Sequence, residues 1–489
     1  MKLEELIENL HYKELINFKN VDITGISYNS QTTKKGNIFV CMTGEHTDGH
    51  KYFQKAVEVG AVALMVEKPL DTHLPQVVVA STKKQIADIS VKFFNFPSKS
   101  LNLVGVTGTN GKTTVTHLLQ KIMEYNGQQC ALIGTLGYKL SSTDPYREAK
   151  YTTPQAPELQ NLLNRMKKKN VEDVVMEVSS HALEQNRVGG CFYKGAVFTN
   201  LTQDHLDYHI TMENYFQAKS ILFRNLKEGS FAVINKDDSY AEKFIEVIPE
   251  GVKIITYGIK SDADVVARDV KFNSDGSEFV FEVKGQEPKK VTLSMSGVFS
   301  VYNVLAAITA GMALGASPDS IKALEKEKGV SGRFETVVKK PLVIVDYAHT
   351  PDGLENVLKA AREITPENAK LVCLFGCGGD RDATKRPKMG KIAERIADKI
   401  VVTSDNPRSE NPEKIIDDIL QGIENKNNAI IEPDRGKAIA LLKKIANEND
   451  VVIVAGKGHE DYQILKDKTI HFDDREEVKK VFLGITIED

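Results

Sequence analysis

Short apolar runs alternate with longer stretches of mixed polarity along most of this chain, and the alternation changes character twice. Residues 1–98 contain two short apolar runs, at 36–42 and 61–66, around a helix-like stretch from Tyr52 to Val59, a pattern that predicts a small α/β unit. Phe96-Pro97-Ser98-Lys99-Ser100 reads as a linker, because proline restricts the residue before it and polar residues follow. From 101 onward, strand-like runs at 171–178, 195–201, 231–235 and 253–257 alternate with helix-like segments. Such alternation predicts a parallel sheet with crossover helices. Runs at 265–272 and 278–283 then flank Asn273-Ser274-Asp275-Gly276, the signature of a β-hairpin insertion. A helix-like stretch from Val301 to Leu314 closes this region, and 325–333 reads as a second linker. In the last third, strand candidates at 342–347, 370–375, 399–403, 429–432 and 451–455 are separated by amphipathic helices, as in a Rossmann-like, doubly wound domain. The expected fold class is therefore α/β in three domains, 1–98, 99–330 and 331–489.

The length agrees with that count, since 489 residues exceed one ordinary core. With 41% hydrophobic and 27% charged residues and a net charge of −3, the chain reads as globular. It lacks the basic field that nucleic acid or anionic lipid would draw on. Acidic residues Glu4 and Glu5 stand where a signal peptide would be apolar, and no run reaches the ~18 apolar residues of a membrane span. Neither nucleic-acid binding nor membrane insertion is expected, and the expected location is the cytoplasm. Cys41, Cys130, Cys191, Cys373 and Cys377 lack C-x-x-C spacing, so they point to neither a disulfide framework nor a zinc site.

Chemistry enters with the stretch from Leu101 to Thr114, where an apolar run meets Gly108-Thr109-Asn110-Gly111-Lys112-Thr113-Thr114 and a helix-compatible segment follows. A strand, a glycine-rich turn and a helix are the context of a phosphate-binding loop, in which backbone N–H groups surround phosphate oxygens and a lysine adds charge. Thr113 or Thr114 offers a hydroxyl to Mg²⁺. The strict G-x-x-x-x-G-K-[ST] pattern wants glycine at 106, where this chain has Val106. Further along, Glu177 ends an apolar run just before Ser179, Ser180 and His181. A carboxylate there suits a second contact to Mg²⁺. Asp204, His205, Asp207 and His209 follow another strand candidate, with His205 the favoured ligand. In the last domain, polar segments 346–349, 376–381, 404–408 and 456–460 fall at the carboxyl ends of strand candidates, where ligands of open α/β sheets bind.

Taken together and in order, Gly108–Thr114, Met176-Glu177-Val178-Ser179-Ser180-His181, Thr199-Asn200-Leu201 with His205-Leu206-Asp207, Tyr302-Asn303, Gly332-Arg333-Phe334-Glu335 and Asp346-Tyr347-Ala348-His349 resemble the Mur ligases. These are ATP-dependent enzymes that add amino acids to the UDP-muramoyl peptide precursor of bacterial cell wall. The resemblance spans essentially the whole chain and lies nearest the member adding the third residue. It implies a central P-loop ATPase-like domain between a UDP-binding N-terminal domain and an amino-acid-binding C-terminal domain. Ser30, Glu45, His46 and Thr47 then correspond to the UDP edge; Tyr151, Thr152, Thr153, Ser179, Gln185 and Arg187 correspond to muramoyl-peptide contacts. ATP falls to the phosphate loop with Asn303, Arg333 and Asp346. By the same resemblance Thr113, Glu177, His205 and Lys219 would hold Mg²⁺, the last as a carbamate, and Lys112 would join Glu177, His205 and Lys219 in catalysis. By itself Lys219, in a mixed helix, reads as a solvated side chain.

The resemblance further marks Asp405-Asn406-Pro407-Arg408 as the segment that reads the incoming amino acid, with Arg381, Gly456 and Glu460 completing that pocket. Family members that add meso-diaminopimelate carry D-N-P-R there. A guanidinium is suited to the second carboxylate that distinguishes this amino acid from lysine. The implied reaction joins meso-diaminopimelate to UDP-MurNAc-L-Ala-D-Glu through an acyl phosphate, with ATP as co-substrate and a monomeric enzyme. Lysine addition, a folylpolyglutamate-type ligase and a P-loop hydrolytic switch are the competing readings.

Overall fold

A computed structural model of the chain describes residues 1–44, 47–273 and 276–485. Among these residues the strands form three main sheets in succession along the chain, of five, ten and six strands, and a separate two-stranded ribbon at Tyr462–Ile464 and Thr469–His471.

The five-stranded sheet uses Tyr12–Ile16, Gln76–Val79, Ala63–Val66, Asn37–Val40 and Gly25–Ser27 in that spatial order. Its inner strands are buried on both faces, which is why Asn37–Val40 and Ala63–Val66 read as continuous apolar runs; Gln76–Val79, equally buried, was not picked out in the sequence. The stretch expected to be a linker is a single 3-10 turn, Pro97–Ser100, and it is anchored: the buried Ser98 hydroxyl accepts the Phe192 amide at 3.0 Å.

The ten-stranded sheet places the phosphate-loop strand, Asn102–Thr107, between the strands Asp173–Glu177 and Gly195–Phe198, parallel to both. The chain crosses from one side of Asn102–Thr107 to the other here, so a crevice opens beyond the carboxyl ends of these three strands. Apolar clusters fill both faces, one beneath the helices Lys112–Tyr125 and Val298–Ala313, the other beneath Ala156–Lys168 and Met212–Arg224. The insertion is larger than the expected hairpin. Val265–Asn273, Gly276–Val283 and Lys289–Leu293 form a three-stranded antiparallel extension. Lys289–Leu293 alternates between polar and apolar over only five residues, a weak signal on its own. Ser274 and Asp275, in the expected turn, lie outside the described residues.

In the six-stranded sheet Leu342–Asp346, Val451–Ala455, Leu371–Phe375, Lys399–Val402 and Ala429–Ile431 run parallel, and Glu335–Lys339 adds an antiparallel edge. The carboxyl ends of Leu342–Asp346, Leu371–Phe375, Lys399–Val402 and Val451–Ala455 carry the four polar segments that stood out in the sequence.

Candidate active site

The turn after Thr107 is shaped by glycine and pinned from the side. Gly111 has φ +85°, and a Cβ there would lie 2.4 Å from Asn303 Oδ1, so the helix Val298–Ala313 presses its Asn303 against the loop. The Asn110 amide donates to Asn200 Oδ1 at 2.9 Å, and the Thr199 hydroxyl donates to the Asn110 carbonyl at 2.6 Å. Val106, where the strict motif would have glycine, lies inside the strand with its side chain in the core, so that position takes no part in the turn.

Two lysine nitrogens meet at one carbonyl. Lys112 Nζ donates to Gly108 O at 3.0 Å and to Thr109 O at 2.8 Å, and Lys219 Nζ donates to the same Gly108 O at 2.7 Å. Lys219 is only 1% exposed, and its Nζ lies 4.6 Å from the Tyr215 ring centre. Burial, and then the nearby Lys112 charge, pull its pKa well below the usual lysine value. A lowered pKa favours the neutral, nucleophilic form of the amine. Lys112 is also lowered by burial, with Glu177 and Asp204 opposing.

Glu177, fully buried, accepts from the Thr113 hydroxyl at 3.0 Å, the Thr135 amide at 2.8 Å and the Thr135 hydroxyl at 3.0 Å. His205 sits in left-handed backbone at φ 53° with its imidazole 3.3 Å from Asp204 and packed edge-on against His181. Partial burial and the neighbouring positive groups lower the imidazole against the pull of Asp204, although 41% of the side chain stays exposed. Burial pushes Asp204 up, yet the His205, His349 and Lys385 charges outweigh it and keep its carboxyl below the ordinary range. Thr113 and Glu177 side by side form an all-oxygen corner that fits Mg²⁺, which takes one or two protein ligands and fills the rest with water and phosphate. Among the described residues no three His, Cys, Asp or Glu side chains converge as a closed metal cage.

A cavity of about 740 Å³ spans this corner and the C-terminal domain. From that domain come Arg333, whose guanidinium stacks over Tyr347 at 4.3 Å and reaches the Thr113 hydroxyl at 3.4 Å, and Asp346, which accepts the Phe334 and Ala348 amides at 2.7 and 2.6 Å. Burial raises the Asp346 carboxyl, with Arg333 opposing. On the central side Thr153 donates to the Glu177 carbonyl at 2.8 Å and Arg187 donates to the Thr153 carbonyl at 3.2 Å while stacking on Tyr151 at 4.9 Å. Gln185 accepts from Arg187 Nε at 3.0 Å, and the Ser179 amide donates to Thr153 Oγ1 at 3.1 Å.

Comparison with known proteins bears on this arrangement. Three family descriptions match in series: "Mur ligase family, catalytic domain" over 22–94, "Mur ligase middle domain" over 106–311 and "Mur ligase, glutamate ligase domain" over 332–458. The chain belongs to the Mur ligase family. Among its Mur ligase relatives, the UDP-N-acetylmuramoyl-L-alanyl-D-glutamate–2,6-diaminopimelate ligases of Bacillus cereus and Halalkalibacterium halodurans are 44% and 46% identical, covering 99% and 97% of each chain. A solved structure of a ligase of that name is 33% identical, covers 99% of both chains and superposes with a TM-score of 0.69. A MurF ligase of Thermotoga maritima solved with ADP is 20% identical, with a TM-score of 0.66 over 96% of this chain and 99% of that one, and shares the fold.

Of the Mur ligase residues marked in the sequence, Thr109 to Thr114, Tyr151, Thr152, Thr153, Glu177, Ser179, Arg187, His205, Lys219, Asn303, Arg333, Asp346 and Arg381 all line the one cavity. Gly108 and Gln185 stand just behind it through the hydrogen bonds above. Ser30, buried, and Thr47, exposed, lie apart in the N-terminal domain, and Glu45 and His46 lie outside the described residues. The other amino-acid-pocket residues do not line the cavity. Arg408, at φ 52°, donates Nη1 to Gly379 O at 2.8 Å and, with Pro407, lines a separate pocket of about 390 Å³. Asn406 donates to Glu460 at 3.0 Å, and a Cβ on Gly456 would lie 2.6 Å from Asp405. Burial and then the Asp405 charge raise the Glu460 carboxyl.

Sequence reasoning missed several partners. Asp352, which accepts from Asn110 at 2.9 Å and Thr202 at 3.2 Å, sits in a Thr-Pro-Asp helix start that reads only as a cap. Thr135, which brackets Glu177, follows a short strand that carried no separate signal. Asp237 accepts the Tyr302 hydroxyl at 2.7 Å beneath the cavity, joining two elements 65 residues apart.

Proposed function

We propose that this Mur ligase joins meso-diaminopimelate to UDP-MurNAc-L-Ala-D-Glu at the expense of ATP. The observation that carries the proposal is one cavity in which the phosphate loop and Lys219 face Arg333 and Arg381 of the C-terminal domain and the Tyr151–Arg187 cluster of the central domain. An acid, a nucleotide and an amine can meet there, which is what a carboxylate-activating ligase needs.

The phosphate-loop amides and Lys112 bind the β- and γ-phosphates, and Asn303, Arg333 and Asp346 hold the rest of ATP. Arg187, Tyr151 and Thr152 orient the muramoyl peptide so that its terminal carboxylate meets the γ-phosphorus in line. Attack forms an acyl phosphate and releases ADP; the amine of diaminopimelate then displaces phosphate and forms the amide bond. Lys112 and Arg333 offset charge on the transferring phosphoryl group, and closure of the cavity keeps water from the acyl phosphate. Thr113 and Glu177 would hold one Mg²⁺, and His205 and Lys219, as its carbamate, a second; the ions would supply charge neutralisation at the phosphoryl oxygens. The depressed pKa of Lys219 favours carbamate formation, because the neutral amine is the form that adds CO₂. Arg408 and Arg381 grip the second carboxylate of diaminopimelate, and Asn406 and Glu460 take its distal ammonium.

The test is phosphate release from ATP, Mg²⁺ and UDP-MurNAc-L-Ala-D-Glu with meso-diaminopimelate, L-lysine or no amino acid, followed by product mass. Release that requires diaminopimelate, with product one residue heavier, is the expected result. Release with lysine instead refutes the pocket assignment, and release indifferent to any amino acid refutes the ligase.

A further inference from the structure

Arg381 and Arg408 stand on two loops that follow adjacent parallel strands, Leu371–Phe375 and Lys399–Val402. The loops touch along their length. The Gly379 amide donates to Asn406 O at 2.9 Å, and the Ser409 hydroxyl donates to Asp380 at 2.8 Å. A Cβ on Gly379 would lie 2.0 Å from Pro407 O, so nothing larger than glycine fits between the loops. Asp380 and Arg408 both adopt left-handed backbone, at φ 53° and 52°. Such conformations persist in residues other than glycine only where surrounding contacts over-determine them.

The over-determining contact comes from behind. Arg386, 1% exposed, enters from the helix Lys385–Ile396 and grips Glu410 with both terminal nitrogens, at 3.0 and 2.8 Å. The same two nitrogens reach Asp418 at 2.9 Å and Gly378 O at 3.3 Å. Glu410 in turn accepts the Asp380 amide at 2.5 Å. One guanidinium thus ties the first loop at Gly378, the second at Glu410, and both to the helix Pro412–Leu420 through Asp418. Its planar fork is suited to such bidentate contact, and lysine cannot reproduce it.

We infer that Arg386, through its bidentate grip on Glu410 and its bond to Gly378, is a positioning residue that fixes the spacing of the Arg381 and Arg408 loops and so sets the preference for an amino acid with a second carboxylate. This rests on the diaminopimelate pocket proposed above. Arg386 has no need to touch substrate; it holds the two arginines that do.

The test is steady-state kinetics of Arg386→Met, Arg386→Lys, Glu410→Gln and Arg408→Ala with meso-diaminopimelate and L-lysine. In Arg386→Met the KM for diaminopimelate rises about tenfold or more, on the scale of one charge-assisted contact. The KM values for ATP and UDP-MurNAc-L-Ala-D-Glu stay within about twofold, a change too small to mark a lost contact. The ratio of kcat/KM for diaminopimelate over lysine falls in parallel, and Arg386→Lys lies between the wild type and Met. A uniform loss of kcat with all KM values unchanged overturns the inference, because it marks a structural role only. If Arg386→Met does not accumulate folded, Glu410→Gln decides on the same readout: an unchanged KM for diaminopimelate there also overturns it. Arg408→Ala separates the two readings. If it raises the KM for diaminopimelate while Arg386→Met does not, the positioning role alone fails; if it leaves that KM unchanged, the pocket fails first.

Discussion

The Gly108 carbonyl receives two lysine nitrogens, and the second, Lys219, was not legible as anything but surface from its own surroundings. A lysine in a mixed helix turns inward only because the tertiary fold brings that helix against the phosphate loop. Lys219→Ala should therefore lower turnover by about 10²-fold or more, the scale of losing one electrostatic support at a transferring group. Part of it should return with added bicarbonate or a short carboxylic acid, read as phosphate release. Gly111 was legible, since a phosphate loop demands it. Gly111→Ala forces a side chain into left-handed backbone against Asn303 and should cost about 1–3 kcal/mol in chemical denaturation, with nucleotide binding lost as well. His209 makes a pH prediction. Buried against the Ser180 hydroxyl at 2.9 Å, it is held down at about 4 by burial and by His181 and Lys219. Glu184 approaches its other nitrogen at 3.5 Å, but that carboxylate is half exposed and hydrated, so burial prevails. With the folded pKa below the unfolded one of about 6.5, the unfolded chain binds more protons between those values, so stability falls as pH drops through that window. In denaturation at pH 6.5 and 4.5, the advantage of wild type over His209→Gln should shrink by about 2 kcal/mol.

Among elements, those with strong periodicity and two buried faces declared themselves: the strand Asn102–Thr107, its helix, and the five parallel strands of the last domain. The misses include short antiparallel edges, Gly137–Lys139, Lys289–Leu293 and Glu335–Lys339, and also the buried strands Gln76–Val79 and Cys130–Gly134, each too brief for a period to emerge. The helix Pro351–Glu363 shows how an element end becomes a docking point. Thr350 caps it by accepting the Gly353 amide at 3.0 Å, and Asp352 in its first turn projects to the phosphate loop. Thr350→Ala should cost about 1 kcal/mol in thermal unfolding, the usual loss for a threonine cap.

Across the whole molecule, the site was legible as a set of segments but not as a meeting place, because sequence order says nothing of which domains face each other. The contacts that join them are both apolar, as where Phe299 packs edge-on against Phe334 at 5.4 Å, and polar. Tyr28 donates to Glu158 at 2.9 Å between the first and second sheets' domains, and Asn110 and Thr202 donate to Asp352 between the second and third. Interfaces of this kind permit relative motion. Asp352→Ala removes the acceptor that both donors share, and small-angle scattering should report a larger radius of gyration for the variant, with ADP and Mg²⁺ restoring less compaction than in wild type. The paired loops of the last domain add a mechanical point. Two segments interlocked around one buried guanidinium move as a unit, so a disturbance at Glu410 in one loop is felt at Gly378 in the other.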